Sequence, residues 1–207
     1  MQLRFPWCVL GPCALLLLSS SSAQAAAPGS WSLAVERVFG FRRATTKTEV
    51  NGQTDSTTSS SISLFSNFGE TLGYPSARVA LDYLFPSGVS LGGALAFQSV
   101  NPDEDDDNDN QTAWLLAPRV GYFASVTSSF GVWPRGGLTY VTTDLGGDND
   151  QSATAITVEV PLVFPLGGTS VALSIMPYVD LGVGGGTDEV DQTITELGLQ
   201  FGLNVIF

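Results

Sequence analysis

From Thr193 to Phe207 apolar and polar side chains take turns along the chain. Leu197, Leu199, Phe201, Leu203, Val205 and Phe207 share one parity, and Glu196, Gly198, Gln200, Gly202 and Asn204 hold the other. A period of two predicts a β-strand with one apolar and one polar face. The run meets the about 9 to 11 residues that a tilted membrane strand needs, although a half-buried strand of a soluble sheet alternates in the same way. The other strands have to decide between the two.

Seven further segments repeat the pattern. Trp31 to Arg42 carries Leu33, Val35, Phe39 and Phe41 on one side and Ala34, Glu36, Val38 and Gly40 on the other. Arg37 falls on its apolar side, so the strand needs a bulge there, or else the side chain must snorkel to a headgroup. Ser76 to Phe85, Val89 to Val100, Thr112 to Ala124, Phe130 to Thr143, Ala155 to Phe164 and Ser170 to Val183 complete the set. Short turns at Pro86-Ser87-Gly88, Ser125 to Ser129 and Pro165 to Thr169 alternate with longer polar connections. Those connections are Arg43 to Tyr74, Asn101 to Gln111, Asp144 to Ser152 and Gly184 to Gln192. Within the first, Ser59 to Phe65 has weak strand character and reads as an extension above a membrane, or a loop that folds back, in preference to an extra membrane strand. An even, up-and-down transmembrane β-barrel predicts this alternation of long and short connections, whereas a sandwich does not.

Aromatic residues on the apolar parity fall at the strand ends. Trp31, Tyr83, Phe85, Tyr122, Phe130, Phe164 and Phe207 lie toward the turns, and Phe39, Phe41, Phe97, Trp114 and Tyr140 toward the long loops. Two belts are what the two interfaces of a bilayer select. Trp133, on the polar parity, and Phe201, in mid-strand, depart from the sorting.

The charges take the opposite side. Arg78, Arg119 and Arg135 lie on the polar parity with Glu36, Asp82, Glu159 and Asp180. An arginine on the lipid face near midplane costs about 2–4 kcal/mol, so these residues belong in the lumen. Eight strands enclose little more than their own side chains, and buried charges survive only when paired. The expectation is a plugged lumen. Glycines of the same parity, Gly92, Gly121, Gly137, Gly182, Gly198 and Gly202, leave space either for a narrow path or for the large side chains opposite, and the second reading is preferred.

Composition narrows the function. Met1 to Ala25 has the positive start at Arg4, the apolar stretch Val9 to Leu18 and the Ala23-Gln24-Ala25 site of a secretory signal, leaving residues 26–207 as the barrel. Both cysteines, Cys8 and Cys13, fall in that segment, and Pro12 argues against lipidation at Cys13. Without the signal the formal charge is −13, which argues against nucleic acid as a partner. Histidine is absent, so His-based triads and His metal sites are excluded. The acidic run in Asn101 to Gln111 lacks the glycine of a calcium-binding loop and reads as a solvated loop. No catalytic, cofactor or metal residue is assigned.

With these strands and the ending "ELGLQFGLNVIF", Trp31 to Phe207 resembles the eight-stranded outer-membrane β-barrels of Gram-negative bacteria, the OmpA-type transmembrane domain and its OmpX-like and OmpW-like relatives. The resemblance implies a signal for the outer-membrane assembly machinery at Leu199, Phe201, Leu203, Val205 and Phe207. It also implies outer-membrane lipid and lipopolysaccharide as surroundings. No peptidoglycan-binding domain is expected after Phe207, which argues against a cell-wall tethering role. The leading expectation is a non-enzymatic surface barrel with acidic outer loops. A narrow channel for small or apolar solutes, as in OmpW-like barrels, and a secreted lipocalin-like barrel with its apolar parity turned inward are the alternatives.

Overall fold

A computed structural model describes residues 29–64, 77–100, 111–144, 150–167, 169–187 and 190–207. The expected signal segment and the acidic run of residues 101–110 lie outside them. Among the described residues the strands are β1 (Ser30–Val50), β2 (Gln53–Leu64), β3 (Arg78–Leu84), β4 (Val89–Val100), β5 (Gln111–Tyr122) and β6 (Ala124–Thr127). They continue with β7 (Phe130–Val132), β8 (Arg135–Asp144), β9 (Asp150–Glu159), β10 (Leu162–Pro165), β11 (Val171–Gly186) and β12 (Asp191–Ile206).

Eight staves, β1, β3, β4, β5, β8, β9, β11 and β12, pair antiparallel in that order, and β12 closes the ring on β1. The fold is an all-β, eight-stranded antiparallel barrel. At the turn end β7 and β10 prolong the staves of β8 and β9, with breaks at Pro134 and Pro161, where no N–H is available for the ladder. Gly88, at φ +86°, makes the tight turn after Phe85.

The long connection expected over Arg43 to Tyr74 is largely strand. β1 runs on to Val50, turns through Asn51 and Gly52, both at positive φ, and returns as β2 in continuous register from Val50–Gln53 to Phe39–Leu64. The segment from Ser59 is therefore the lower part of an extension that starts at Gln53, and its foot, Ile62 and Leu64, pairs with Phe41 and Phe39 at girdle height. The loops expected at Asp144 to Ser152 and Gly184 to Gln192 are shortened likewise, since β9 begins at Asp150, β11 ends at Gly186 and β12 begins at Asp191. Above the membrane both faces of a strand are wetted. Thr- and Ser-rich strands there carry no apolar period to be read.

Following paired residues once round from Ser30, through Leu84, Ser90, Gly121, Arg135, Glu159, Tyr178 and Gly198, returns to β1 at Arg42, twelve residues further along. With about 3.3 Å per residue and about 4.8 Å between strands, that stagger tilts the staves by about 45°. The tilt decides which inward side chains share a height.

The apolar parity faces out. Leu91, Leu95, Val120 and Val158 are 50–60 % exposed, while the charged residues of the other parity are buried. A lipocalin-like barrel, which turns its apolar parity inward, is thereby ruled out. Among the described residues no helix is long and apolar enough to cross a membrane.

Candidate functional site

Strand alternation aims Glu36, Arg78, Asp82, Arg119, Arg135, Glu159 and Asp180 into the lumen, and an irregularity adds one more. The β1–β12 register shifts between Val35 and Phe39, and Arg37 sits in that bulge at φ +54°. Glu36 and Arg37 therefore both point inward, and Phe39 resumes the outward face. Four arginines and four carboxylates, none more than 6 % exposed, form one formally neutral belt.

Arg119 is its hub. Its Nη1 and Nη2 donate to Glu36 at 2.7 and 2.9 Å, its Nε donates to Asp82 Oδ1 at 2.9 Å, Nη2 also reaches Asp82, and Nη1 reaches Glu159 at 3.1 Å. Arg135 Nη2 lies 2.9 Å from Glu36 and 2.8 Å from Glu159, and its guanidinium packs 4.7 Å from the centre of the Trp133 ring. Arg78 donates to Glu36 at 3.3 Å and to Glu159 at 2.7 Å. On the other side Arg37 grips Asp180 with two bonds of 2.6 and 3.2 Å, 3.8 Å above the ring of Tyr178. Thr157 donates to Asp180 as well, at 2.7 Å. Every carboxylate of the belt thus faces at least one guanidinium away from the barrel surface, the arrangement in which buried charges are tolerable.

Apolar layers bracket the belt. Leu84, Phe123, Trp133, Val163 and Ala172, with Ile206, close the turn end, and Trp133 satisfies its indole N–H on Ser90 Oγ at 2.8 Å. Leu115, Val141, Ala153, Ala155 and Ile194 belong to a cluster toward the loop end. The lumen glycines are spaces already taken. A Cβ on Gly92 would stand 2.5 Å from Asp82 Oδ1, on Gly121 2.7 Å from Arg135 Cγ, and on Gly198 2.7 Å from the Tyr178 ring. They make room for large neighbours.

Charged interior and apolar exterior together invert a soluble protein. The chain is a membrane-spanning β-barrel. No protein-family model matches it, and no curated protein matches it in sequence. Among solved structures it is similar to Neisserial surface protein A, with 10% identity over 86% of this chain and 98% of that one and a TM-score of 0.48. The outer membrane protein OprG from Pseudomonas aeruginosa matches with 11% identity, 90% and 99% coverage and a TM-score of 0.47. Ail, the attachment invasion locus protein of Yersinia pestis, matches with 13% identity, 85% and 99% coverage and a TM-score of 0.38.

On the outside of the barrel, rings of the turn-end belt touch in the chains Trp31–Tyr83–Phe85, at 4.9 Å for each pair, and Phe130–Phe164 at 5.2 Å. At the loop end Phe97 meets Trp114 at 4.3 Å, and Phe39 meets Phe201 at 5.6 Å, which draws Phe201 into the outer belt. Tyr122 and Tyr140 also face out. In the terminal strand Leu199, Phe201 and Leu203 point outward, Val205 is half-buried, and exposed Phe207 exchanges two backbone bonds with Trp31, of 2.7 and 2.9 Å, that help close the ring.

One participant escapes a strict parity reading, and a second lacks a partner that parity could name. Arg37 lies on the apolar parity, and only its conflict with that face signals the bulge. Glu196 is fully buried above the belt, 3.5 Å from Arg42, and alternation alone places it inward without naming a partner. Among the described residues no group of three or more His, Cys, Asp or Glu side chains is arranged to hold a metal ion.

One interruption breaks the wall. Between β5 and β8 the pairing passes from Leu116–Tyr140 to Arg119–Gly137, and Pro118 between them has no N–H to give. Pro118, Gly136 and Leu138 line a small notch of about 10 Å³ whose other walls include Arg78, Arg135, Thr139 and Glu159.

Proposed function

We propose that the protein is a non-enzymatic, non-conducting outer-membrane barrel that displays the β1–β2 hairpin and the acidic loops at the cell surface. The neutral belt of Glu36, Arg37, Arg78, Asp82, Arg119, Arg135, Glu159 and Asp180, bracketed by apolar layers, carries this reading. An ion entering it would have to displace bonds of 2.6–3.3 Å between buried charges. Its carboxylates are committed to guanidiniums, which supports a structural role over acid–base chemistry. The hairpin, exposed on both faces of β2, supports a surface role. The test is single-channel recording of the mature chain refolded into planar bilayers. A silent membrane is expected from protein that shifts on a gel between boiled and unboiled samples. Regular conductance steps from such protein would overturn the reading.

The break in the β5–β8 ladder at Pro118 supports one second reading, sideways exchange of small apolar solutes between lipid and lumen. Pro118→Val would restore the missing ladder donor and close the notch. Slower uptake of a short-chain apolar tracer into proteoliposomes would support exchange, and unchanged uptake would remove it.

A further inference from the structure

Ladder donors from β5 to β8 recur at every second residue, and one of those bonds cannot form. Tyr122 N–H donates to Pro134 O at 3.0 Å, and the register runs on through Val120–Gly136 to Leu116–Tyr140. Between the last two pairs Pro118 stands opposite Leu138 with no N–H to give, so the Leu138 carbonyl is left without its ladder donor. Along β5 Pro118 lies midway between Trp114 of one aromatic belt and Tyr122 of the other. The orphaned carbonyl is thus at the depth where lipid supplies no donor.

Polar groups on the lumen side of the same notch are unmatched too. Arg78 Nη1 and Arg135 Nε have no hydrogen-bond acceptor among the described residues, although their side chains are buried. The hydroxyls of Thr139 and Thr157 lie 2.6 Å apart, and Thr157 donates its own O–H to Asp180. Thr139 therefore donates to Thr157 and keeps a lone pair open.

We propose that the notch is a binding site for one ordered water molecule, which stands in for the missing rung of the wall. The water accepts from Arg78 Nη1 and Arg135 Nε and donates to the Leu138 carbonyl and to Thr139 Oγ1. The space, about 10 Å³, suits a single water, which needs about 10–15 Å³ and two to four polar partners.

The mixture of partners selects water over an ion. An anion would suit the guanidiniums but would face the lone pairs of Leu138 and Thr139, and a cation would face two guanidiniums. The belt is formally neutral, so an ion of either sign would also leave it charged. Only a group that donates and accepts at once satisfies all four atoms. An acyl chain satisfies none of them, so a water held here closes the wall to apolar solutes.

The test uses the mature chain, isotope-labelled and refolded in detergent micelles. Nuclear Overhauser effects are read from the water line to the Pro118 Hδ protons and the Leu138 N–H, and oxygen-17 relaxation dispersion counts the long-lived waters. Cross-peaks of the sign that marks a long-lived water are expected at both residues. Pro118→Val supplies the ladder donor, and should lose the water contact at Leu138 and one long-lived water from the count. Thr139→Val leaves the wall backbone intact and removes one acceptor, so the residence time should shorten severalfold with an unchanged gel shift on boiling. Missing water cross-peaks in protein that shows the gel shift, a water contact retained in Pro118→Val, or an unchanged residence time in Thr139→Val would each overturn the inference. Contacts from Pro118 Hδ to detergent acyl chains in place of water would also overturn it, and would favour exchange through the wall. Should Pro118→Val fail to refold, Thr139→Val decides alone.

Discussion

Glu36→Gln is the sharpest test of what holds the lumen. Glu36 faces three guanidiniums, with contacts of 2.7 and 2.9 Å to Arg119, 2.9 Å to Arg135 and 3.3 Å to Arg78. Glutamine keeps the shape and one acceptor, turns the other oxygen into a donor aimed at a donor, and leaves the belt one positive charge in excess. Removing one partner from a buried ion pair costs about 3–5 kcal/mol. At about 1.4 kcal/mol per tenfold, the folded-to-unfolded ratio should fall roughly a hundredfold to several thousandfold. Urea unfolding in lipid vesicles measures this through tryptophan emission, because Trp133, 1 % exposed, stacks on Arg135 in the belt itself. Lys47→Ser, at an exposed position of β1, is the control and should stay within about 0.5 kcal/mol. A Glu36→Gln barrel that unfolds within about 1 kcal/mol of the native one would refute the belt as the source of lumen stability.

Asp180→Asn should cost about 3–5 kcal/mol because it strands Arg37, whereas R37M/D180L should cost clearly less, and the difference in urea midpoints measures it. Gly137→Ala should destabilise by about 1–3 kcal/mol because its Cβ would stand 2.9 Å from Arg119 Cα, while Gly136→Ala, whose Cβ meets nothing closer than 3.9 Å, should be tolerated; thermal midpoints of the gel shift compare them. Deleting Phe207 removes the two backbone bonds to Trp31 and should slow refolding into vesicles severalfold, followed as the growth of the fast-migrating band.

The eight staves and the choice of outward face were legible because lipid imposes a period of two that no other contact has to supply. Leu91, Leu95, Val120 and Val158 sit outside for the same reason that Arg78, Asp82, Arg119 and Glu159 sit inside. Of the extension above the membrane only the weak strand character from Ser59 onward was legible. Gln53 to Ser61 is polar at every position, and only its pairing with β1, across the Asn51–Gly52 turn, makes it a β-structure. Lumen candidates could be collected from parity, but their partners could not. Glu36 and Arg119 lie 83 residues apart and on non-adjacent staves, and they meet because the twelve-residue stagger brings them to one height. Arg37 carried a contradiction in the sequence, a cation on the apolar parity, and the bulge at φ +54° resolved it by turning the residue onto Asp180. Arg37 apart, the sequence alone therefore determined which membrane-strand residues face lipid and which face the lumen, since that depends only on local alternation. Tertiary structure decided which charges neutralise one another and that the glycine spaces are filled, since those depend on the tilt and closure of the whole ring.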